Sequence, residues 1–236
     1  FMQCDSLTSV STGNGLIELE LYTFSGCINL TSVTLSNTLL TIRYNAFYAC
    51  RALAELSIPD SVRNVDEGVF TFCDVLEYNV YDNAKYLGNE QNPYHVLVVA
   101  ENKSTITSCT INPSTKAIAA NAFGGCESLT SISIPSGLER VGQGAFDYCT
   151  ALSYNIYDNA CYIGNDQNPY VILVKVLNKD ISSITIHNDT AIIYSYALGE
   201  CNNLTSIVIP DSVKDIGAHA FRECTSLSSV TLGNGL

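Results

Sequence analysis

The sequence predicts a repeat solenoid of α/β to mostly β character, with ten coils, one strand per coil, short helical turns and two coils enlarged by a β-hairpin. Three observations predict it: a 23-residue repeat along the whole chain, alternating apolar residues in one part of each repeat, and turn residues directly after them. A coil of this length cannot bury its inner face alone, so neighbouring coils have to stack.

The repeat has the consensus L-x-x-V-x-I-P-x-x-V-x-x-I-x-x-x-A-F-x-x-C-x-x-L. Successive coils start 23 residues apart, except for two spacings of 30 and 29 residues. The residues that open the coils are Leu7, Leu30, Leu53, Leu76, Ile106, Leu129, Leu152, Ile181, Leu204 and Leu227. We therefore expect one solenoid over residues 1–236. Because neither end shows a polar capping coil, we expect it to be a segment of a longer array or to have its terminal coils covered by another copy.

Within a coil, each segment has its own pattern. Alternating apolar residues such as Val33 and Leu35 predict a short strand with one face inward. Turn residues such as Pro59–Asp60 then redirect the chain. The A-F-x-x-C segment closes the coil, and we expect it to be a short helical turn.

The two long coils, residues 76–105 and 152–180, are copies of one another at an offset of 76 residues. Both lack A-F-x-x-C. In its place, A-x-Y-[LI]-G leads into the turn N-[ED]-Q-N-P and then an apolar run such as Val96–Val99. This pattern predicts a β-hairpin that enlarges each coil.

Cysteine and phenylalanine recur at fixed positions and predict two structural ladders on the inner wall. Each ladder cysteine lies three residues before a coil opener, and a phenylalanine precedes it by three, with Leu198 standing in once. The cysteines are Cys4, Cys27, Cys50, Cys73, Cys126, Cys149, Cys201 and Cys224. The phenylalanines are Phe1, Phe24, Phe47, Phe70, Phe123, Phe146 and Phe221. We expect reduced, buried thiols, because parallel side-chain vectors suit disulfides poorly and no Cys/His spacing suits a metal.

Eight of the 14 tyrosines fall in the two enlarged coils. They are Tyr78, Tyr81, Tyr86, Tyr94, Tyr154, Tyr157, Tyr162 and Tyr170. Clustered tyrosine is typical of a contact site, so these residues are the candidate binding residues. Tyrosines that fill hairpin faces would produce the same pattern, and both interpretations stay open.

The outward positions of the predicted strands carry mostly Ser and Thr, for example Ser32 and Thr34. Such rows form cross-strand hydrogen-bonded ladders, or they accept a protein or glycan partner. The carboxylates Glu139, Asp147, Asp215 and Glu223 vary from coil to coil and are interpreted as solvated.

Composition and motifs exclude several classes. A net charge of −12 has the wrong sign for nucleic acid, and no apolar run reaches the length of a membrane span. The three histidines, His95, His187 and His219, lie in different coils without a catalytic motif. We expect no enzyme, no cofactor and no metal site.

The repeated I-P-x-x-V-x-x-I and A-F-x-x-C-x-x-L blocks resemble the BspA-like leucine-rich repeats over essentially the whole chain. The resemblance implies a leucine-rich repeat solenoid of a bacterial or protozoal protein that is at the cell surface or secreted. It also implies adhesion to host or neighbouring-cell proteins. The alternative from another class is a passive structural stalk or spacer that presents another domain.

Overall fold

The computed structural model describes residues 1–236, which form a β-solenoid of about ten coils with no helix. Its strands are β1 Ser9–Ser11, β2 Glu18–Leu19, β3 Ser32–Thr34, β4 Thr41–Ile42, β5 Asn64–Val65, β6 Asn79–Tyr81, β7 Ala84–Leu87, β8 Val96–Ala100, β9 Ser108–Thr110 and β10 Ala117–Ile118. They continue with β11 Ser131–Ser133, β12 Arg140–Val141, β13 Asn155–Tyr157, β14 Ala160–Ile163, β15 Ile172–Val176, β16 Ile192–Ile193, β17 Ser206–Val208, β18 Asp215–Ile216 and β19 Ser229–Thr231.

Most ordinary coils contain two short strands, so the expectation of one strand per coil was wrong. First strands pair in parallel with a register of one repeat, as in Ser9 opposite Ser32. Second strands form their own parallel ladder, as in Glu18 opposite Thr41 and Thr41 opposite Asn64. The second apolar pair of the consensus lies in or beside a second strand of two residues. These second strands form a parallel sheet on another side of the coil.

The expectation of a short helical turn was also wrong, because the A-F-x-x-C segment contains residues whose backbone is in the left-handed region. In the coil that contains Phe47, Asn45 and Ala49 both have φ of 57°. Alternate amides close local turns, as in Cys50 N–H to Phe47 O at 3.1 Å. The amides between them donate to the following coil, as in Phe47 N–H to Val69 O at 3.2 Å. A helix would use all of these amides within the segment and leave none to join the coils.

Each enlarged coil is a three-stranded antiparallel meander, β6–β7–β8 or β13–β14–β15, rather than a single hairpin. The first connection is a tight turn at Asp82–Asn83, where both residues have positive φ, as a type I′ turn requires. Beyond the meander, β8 pairs in parallel with β10 and returns the chain to the stack.

Asparagine side chains hold the longer loop of the meander to the coils on either side. The Asn89 amide donates to Ile58 O and to Asp60 Oδ1, at 3.1 and 2.7 Å. The Asn92 amide donates to Ser114 O at 2.9 Å. Asn165 and Asn168 repeat this arrangement in the second meander. The N-[ED]-Q-N-P motif is therefore an anchor as well as a turn.

The phenylalanine rings stack along the inside of the solenoid. Phe1, Phe24, Phe47 and Phe70 form one row with centroids 5.5 to 6.1 Å apart. Phe123 and Phe146 form a second stack at 5.8 Å. The rows are separate because the meander between Phe70 and Phe123 supplies no ring at this position.

All ten cysteines are free thiols, and eight of them are buried. Within the ladder, a thiol donates to the carbonyl of the phenylalanine position one coil earlier. Cys50 Sγ lies 3.2 Å from Phe24 O, and Cys149 Sγ lies 3.2 Å from Phe123 O. The sulfur is therefore engaged as a donor to backbone rather than paired with another sulfur.

We predict that these thiols make the protein sensitive to alkali. Burial raises the pKa of Cys50 and of Cys109 from 9.0 to about 12. The unfolded chain loses these protons near pH 9 while the native chain keeps them. Stability should therefore be full below pH 9 and fall as the pH rises towards about 12. Urea unfolding at successive pH values measures this, and Cys50→Ala/Cys109→Ala should show a shallower loss.

Thiol titration provides the companion measurement. Ellman's reagent at pH 8 should modify few thiols in the native protein and all ten in denaturant. Intact-mass spectra that show disulfides, or stability that stays flat between pH 9 and 11, would contradict this account.

Candidate binding surfaces

The tyrosines of the first meander pack edge to face around one buried ring. Tyr86 is completely buried, and Asn112 N–H donates to its hydroxyl at 3.4 Å. Tyr94 packs against it with centroids 5.5 Å apart, and Tyr81 packs against Tyr94 at 5.9 Å. Tyr81 and Tyr94 are half-buried and keep part of their surface exposed.

The second meander repeats this cluster and adds a histidine. Tyr162 is completely buried, and Tyr170 and Tyr157 pack outward from it. His187 stacks on Tyr170 at 3.9 Å and meets Tyr157 edge to face at 4.8 Å. Asp189 N–H donates to His187 Nδ1 at 3.2 Å, which fixes the ring in this orientation.

Burial divides the eight candidate tyrosines into three kinds. Tyr86 and Tyr162 cannot touch a partner, because they fill the meander cores. Tyr78 and Tyr154 are half-buried beneath the ammonium groups of Lys85 and Lys175, 5.7 and 4.7 Å from the ring centroids. Tyr81, Tyr94 and Tyr170 are half-buried and Tyr157 is exposed, and no cation covers these four rings.

The solenoid is strongly curved, and the second strands line its concave side. Arg140 Nη1 lies 2.7 Å from Asp215 Oδ1, and Arg140 Nε lies 3.5 Å from Asn64 Oδ1. Asn64 and Asp215 are six coils apart along the chain. In a straight stack at about 4.8 Å per coil they would be about 30 Å apart, beyond the reach of one arginine.

This concave side holds a charged groove with a volume of about 620 Å³. We define the groove by Arg43, Tyr44, Asn64, Arg140 and Tyr148, which come from three separate coils. Tyr148 is 77% exposed and Tyr44 is 39% exposed. Tyrosine and arginine are both enriched among the residues that contribute most to the binding energy of protein interfaces.

Ion pairs on the concave side join neighbouring coils, and one pair joins coils that are distant along the chain. Arg63 Nε lies 2.6 Å from Glu139 Oε2, and Lys116 Nζ lies 3.6 Å from Glu139 Oε1. Arg43 pairs with Glu18 and lies 3.8 Å from Asp66. Arg43–Asp66 and Lys116–Glu139 are each 23 residues apart and therefore follow the repeat spacing. The repeat spacing did not predict Arg63–Glu139, because this pair joins coils that are distant along the chain.

Asp215 corrects the interpretation of the carboxylates as solvated, since its side chain is only 8% exposed. Burial raises the pKa of the Asp215 carboxyl, while the Arg140 guanidinium and two backbone amides partly offset this. Its Oδ2 atom has no hydrogen-bond partner. Glu139 is likewise ion-paired and only half-exposed, whereas Asp147 and Glu223 are exposed.

The remaining polar candidates are not brought together. His95 is buried, with Nε2–H donating to Val62 O at 2.8 Å. His187 belongs to the second tyrosine cluster, and His219 stacks on Tyr196 at 5.1 Å. The outward Ser and Thr residues of the first strands are mostly exposed, without a groove of their own. No helix is long and apolar enough to span a membrane.

We predict that Arg140 stabilises the curvature through Asp215. Arg140→Met would leave a carboxylate more than nine-tenths buried and without its counter-charge, and should cost about 3 kcal/mol of unfolding free energy at pH 7. The matched control is Arg51→Met. Arg51 pairs with Asp74 at 2.6 Å, but both side chains are at least half exposed. The control should cost less than about 1 kcal/mol. Equal small losses in urea unfolding would contradict the role of Arg140.

The sequence matches one family model over nearly the whole chain. The family model for the BspA type leucine-rich repeat region matches residues 1–91, 100–167 and 177–236 in six copies. No curated protein sequence matches the chain.

Several solved structures are similar. A leucine-rich cell surface protein from Faecalibacterium prausnitzii is 26% identical, and the match covers 97% of this chain and 60% of that one, with a TM-score of 0.41. The pneumococcal vaccine antigen PcpA is 20% identical over 98% of this chain and 52% of its own, with a TM-score of 0.37. The leucine-rich repeat protein TpLRR of T. pallidum is 18% identical over 94% of this chain and 78% of its own, with a TM-score of 0.35.

The chain thus spans 60% of the length of the first of these proteins and 52% of the second. Since the family model covers most of the residues, the chain belongs to the BspA-type leucine-rich repeat family.

Proposed function

We propose that the chain is a non-catalytic protein-binding and adhesion module of a cell-surface or secreted leucine-rich repeat protein. The observation that carries the proposal is the concave groove, where Tyr44 and Tyr148 are exposed beside Arg43 and Arg140. These are the residue types that anchor partners at interfaces. Membership of the family supports the cell-surface or secreted location and a protein of a host or neighbouring cell as partner.

The groove is suited to a polar partner segment. Its cations are already engaged with carboxylates, as Arg140 is with Asp215 and Arg43 is with Asp66. A partner therefore meets an alternating charge pattern held in place by the fold, which selects for complementary charges and orientation. Curvature concentrates side chains of three coils at one place, as solenoid binding surfaces generally do.

The two tyrosine clusters form a second contact surface of the same module. Tyr81 and Tyr157 present partly exposed rings whose orientation is set by buried neighbours. Rigid aromatic rings supply contact area at a low cost in conformational entropy. A glycan is the alternative partner for these rings and for the hydroxyl-rich strand face.

The proposal is tested by probing arrays of extracellular proteins and of glycans with the wild-type chain, followed by affinity measurement for each partner found. Tyr44→Ser/Tyr148→Ser removes the groove tyrosines, and Tyr81→Ser/Tyr157→Ser removes the cluster tyrosines. Val75→Ser is the control, because Val75 is 51% exposed in a turn outside the groove, the meanders and the strand face. All variants should fold, and the cluster variant should melt at a lower temperature because Tyr81 and Tyr157 pack against neighbouring rings.

We expect a protein partner whose affinity falls at least about tenfold in the groove variant and is unchanged in the control. A loss confined to the cluster variant would keep the function and move the contact to the meanders. No bound protein or glycan at micromolar concentration would contradict the proposal and favour the passive stalk.

A further inference from the structure

The two enlarged coils interrupt the amide hydrogen bonds that join consecutive coils. In an ordinary coil, the phenylalanine N–H donates to the next coil, as in Phe24 to Ala46 O and Phe123 to Ala145 O, both 2.8 Å. The coils that contain Phe70 and Phe146 are each followed by a meander without A-F-x-x-C. Neither amide can therefore find its usual acceptor.

In the second half of the chain a tyrosine from the coil beyond the meander fills the gap. Tyr194 is 5% exposed, and its ring lies 5.8 Å from that of Phe146. Phe146 N–H donates to the Tyr194 hydroxyl at 3.1 Å, and that hydroxyl lies 3.5 Å from Asp147 Oδ1. The phenol thus supplies both the missing apolar packing and the missing acceptor.

In the first half the residue at the position of Tyr194 is Ala119, at an offset of 75 residues. Here the space is a pocket of about 310 Å³, lined mainly by hydrophobic side chains that include Val65, Phe70, Val98 and Ala119. Phe70 N–H has no acceptor in the protein. An engineered aliphatic cavity of about 150 Å³ is sufficient to bind benzene.

Polar groups lie at the edge of this pocket. Thr71, at the position of Asp147, follows Phe70 in the chain and also lines the pocket. Lys103 Nζ lies in the wall and donates to Asn121 O at 2.7 Å and Gly124 O at 3.1 Å. Asn121 also donates to Glu67 at 3.0 Å, and both of these residues line the neighbouring groove as well.

We propose that this pocket is a binding site for a phenolic ring, supplied by a small free phenol or by a tyrosine side chain of a partner. The ring occupies the place that Tyr194 fills in the second copy, against Phe70 and Val98. The phenolic oxygen accepts the hydrogen bond of Phe70 N–H, and its proton is donated towards the Thr71 hydroxyl. This site is independent of the proposed function, because it requires no contact with Tyr44 or Tyr148.

The test is isothermal titration of the wild-type chain with p-cresol, with toluene as the ligand that lacks the oxygen. We expect one p-cresol site, with toluene binding about fivefold more weakly because it leaves the Phe70 amide unpaired. N-acetyltyrosinamide separates the two sources. Binding comparable to p-cresol assigns the site to a tyrosine side chain, whereas binding of p-cresol alone assigns it to a free phenol.

Two variants use the internal duplication as a control. Ala119→Tyr should plug the pocket as Tyr194 does, abolish p-cresol binding and raise the melting temperature. Tyr194→Ala should open the second copy and raise the stoichiometry from one site to two. Ala119→Leu fills part of the pocket and should weaken p-cresol binding. This variant replaces Ala119→Tyr in the test if the tyrosine prevents folding.

The proposal is overturned if p-cresol does not bind the wild-type chain at millimolar concentration, or if it binds Ala119→Tyr or Ala119→Leu with wild-type affinity. If Ala119→Tyr binds the partner found on the array with wild-type affinity, the proposed function does not depend on the pocket. If the groove variant loses affinity for that partner but still binds p-cresol, the pocket proposal is unaffected. The two proposals can therefore fail separately.

Discussion

The fold depends on alternate amides in the A-F-x-x-C segment, which donate in turn within a coil and to the next coil. Left-handed residues at two positions, such as Asn45 and Ala49, make this alternation possible. The inward Phe47 and Cys50 side chains then repeat at one fixed height per coil, so rings stack on rings and thiols meet backbone carbonyls. Because the backbone bonds impose the spacing, the ladders follow from it, and each coil depends on its neighbours.

Interruption of this pattern produces the features that distinguish the chain from a uniform stack. Each meander replaces the A-F-x-x-C segment with antiparallel strands. The coil before each meander, which contains Phe70 or Phe146, therefore lacks the backbone acceptors that the next coil normally supplies. The concave side, which the second strands line, is curved enough for Arg140 to contact both Asn64 and Asp215. The concave groove and the pocket beside Phe70 therefore share one origin. The two halves differ chiefly in whether a side chain fills the gap, as Tyr194 does and Ala119 does not.

The sequence was sufficient to predict the coil starts, the enlarged coils and the inward Phe and Cys positions, because each recurs at a regular spacing. It was insufficient for the A-F-x-x-C conformation, since residues such as Phe72 and Tyr148 adopt φ of 60° without a glycine or asparagine to signal it. The Arg140–Asp215 pair could not be predicted, because curvature arises only after the meanders are in place. The exchange of Ala119 for Tyr194 was visible in an alignment of the two halves, but its meaning required the position of the Phe70 amide.

Hydrogen exchange of the ladder amides tests this account most directly, measured residue by residue in the native protein. The account predicts strong protection for Phe24, Phe47, Phe123 and Leu198, which donate to the next coil, and for Phe146, which donates to the Tyr194 hydroxyl. It predicts much faster exchange at Phe70, which has no acceptor. Uniform protection at all six positions would contradict the claim that coil-to-coil amide bonding organises the fold and is incomplete at the first meander.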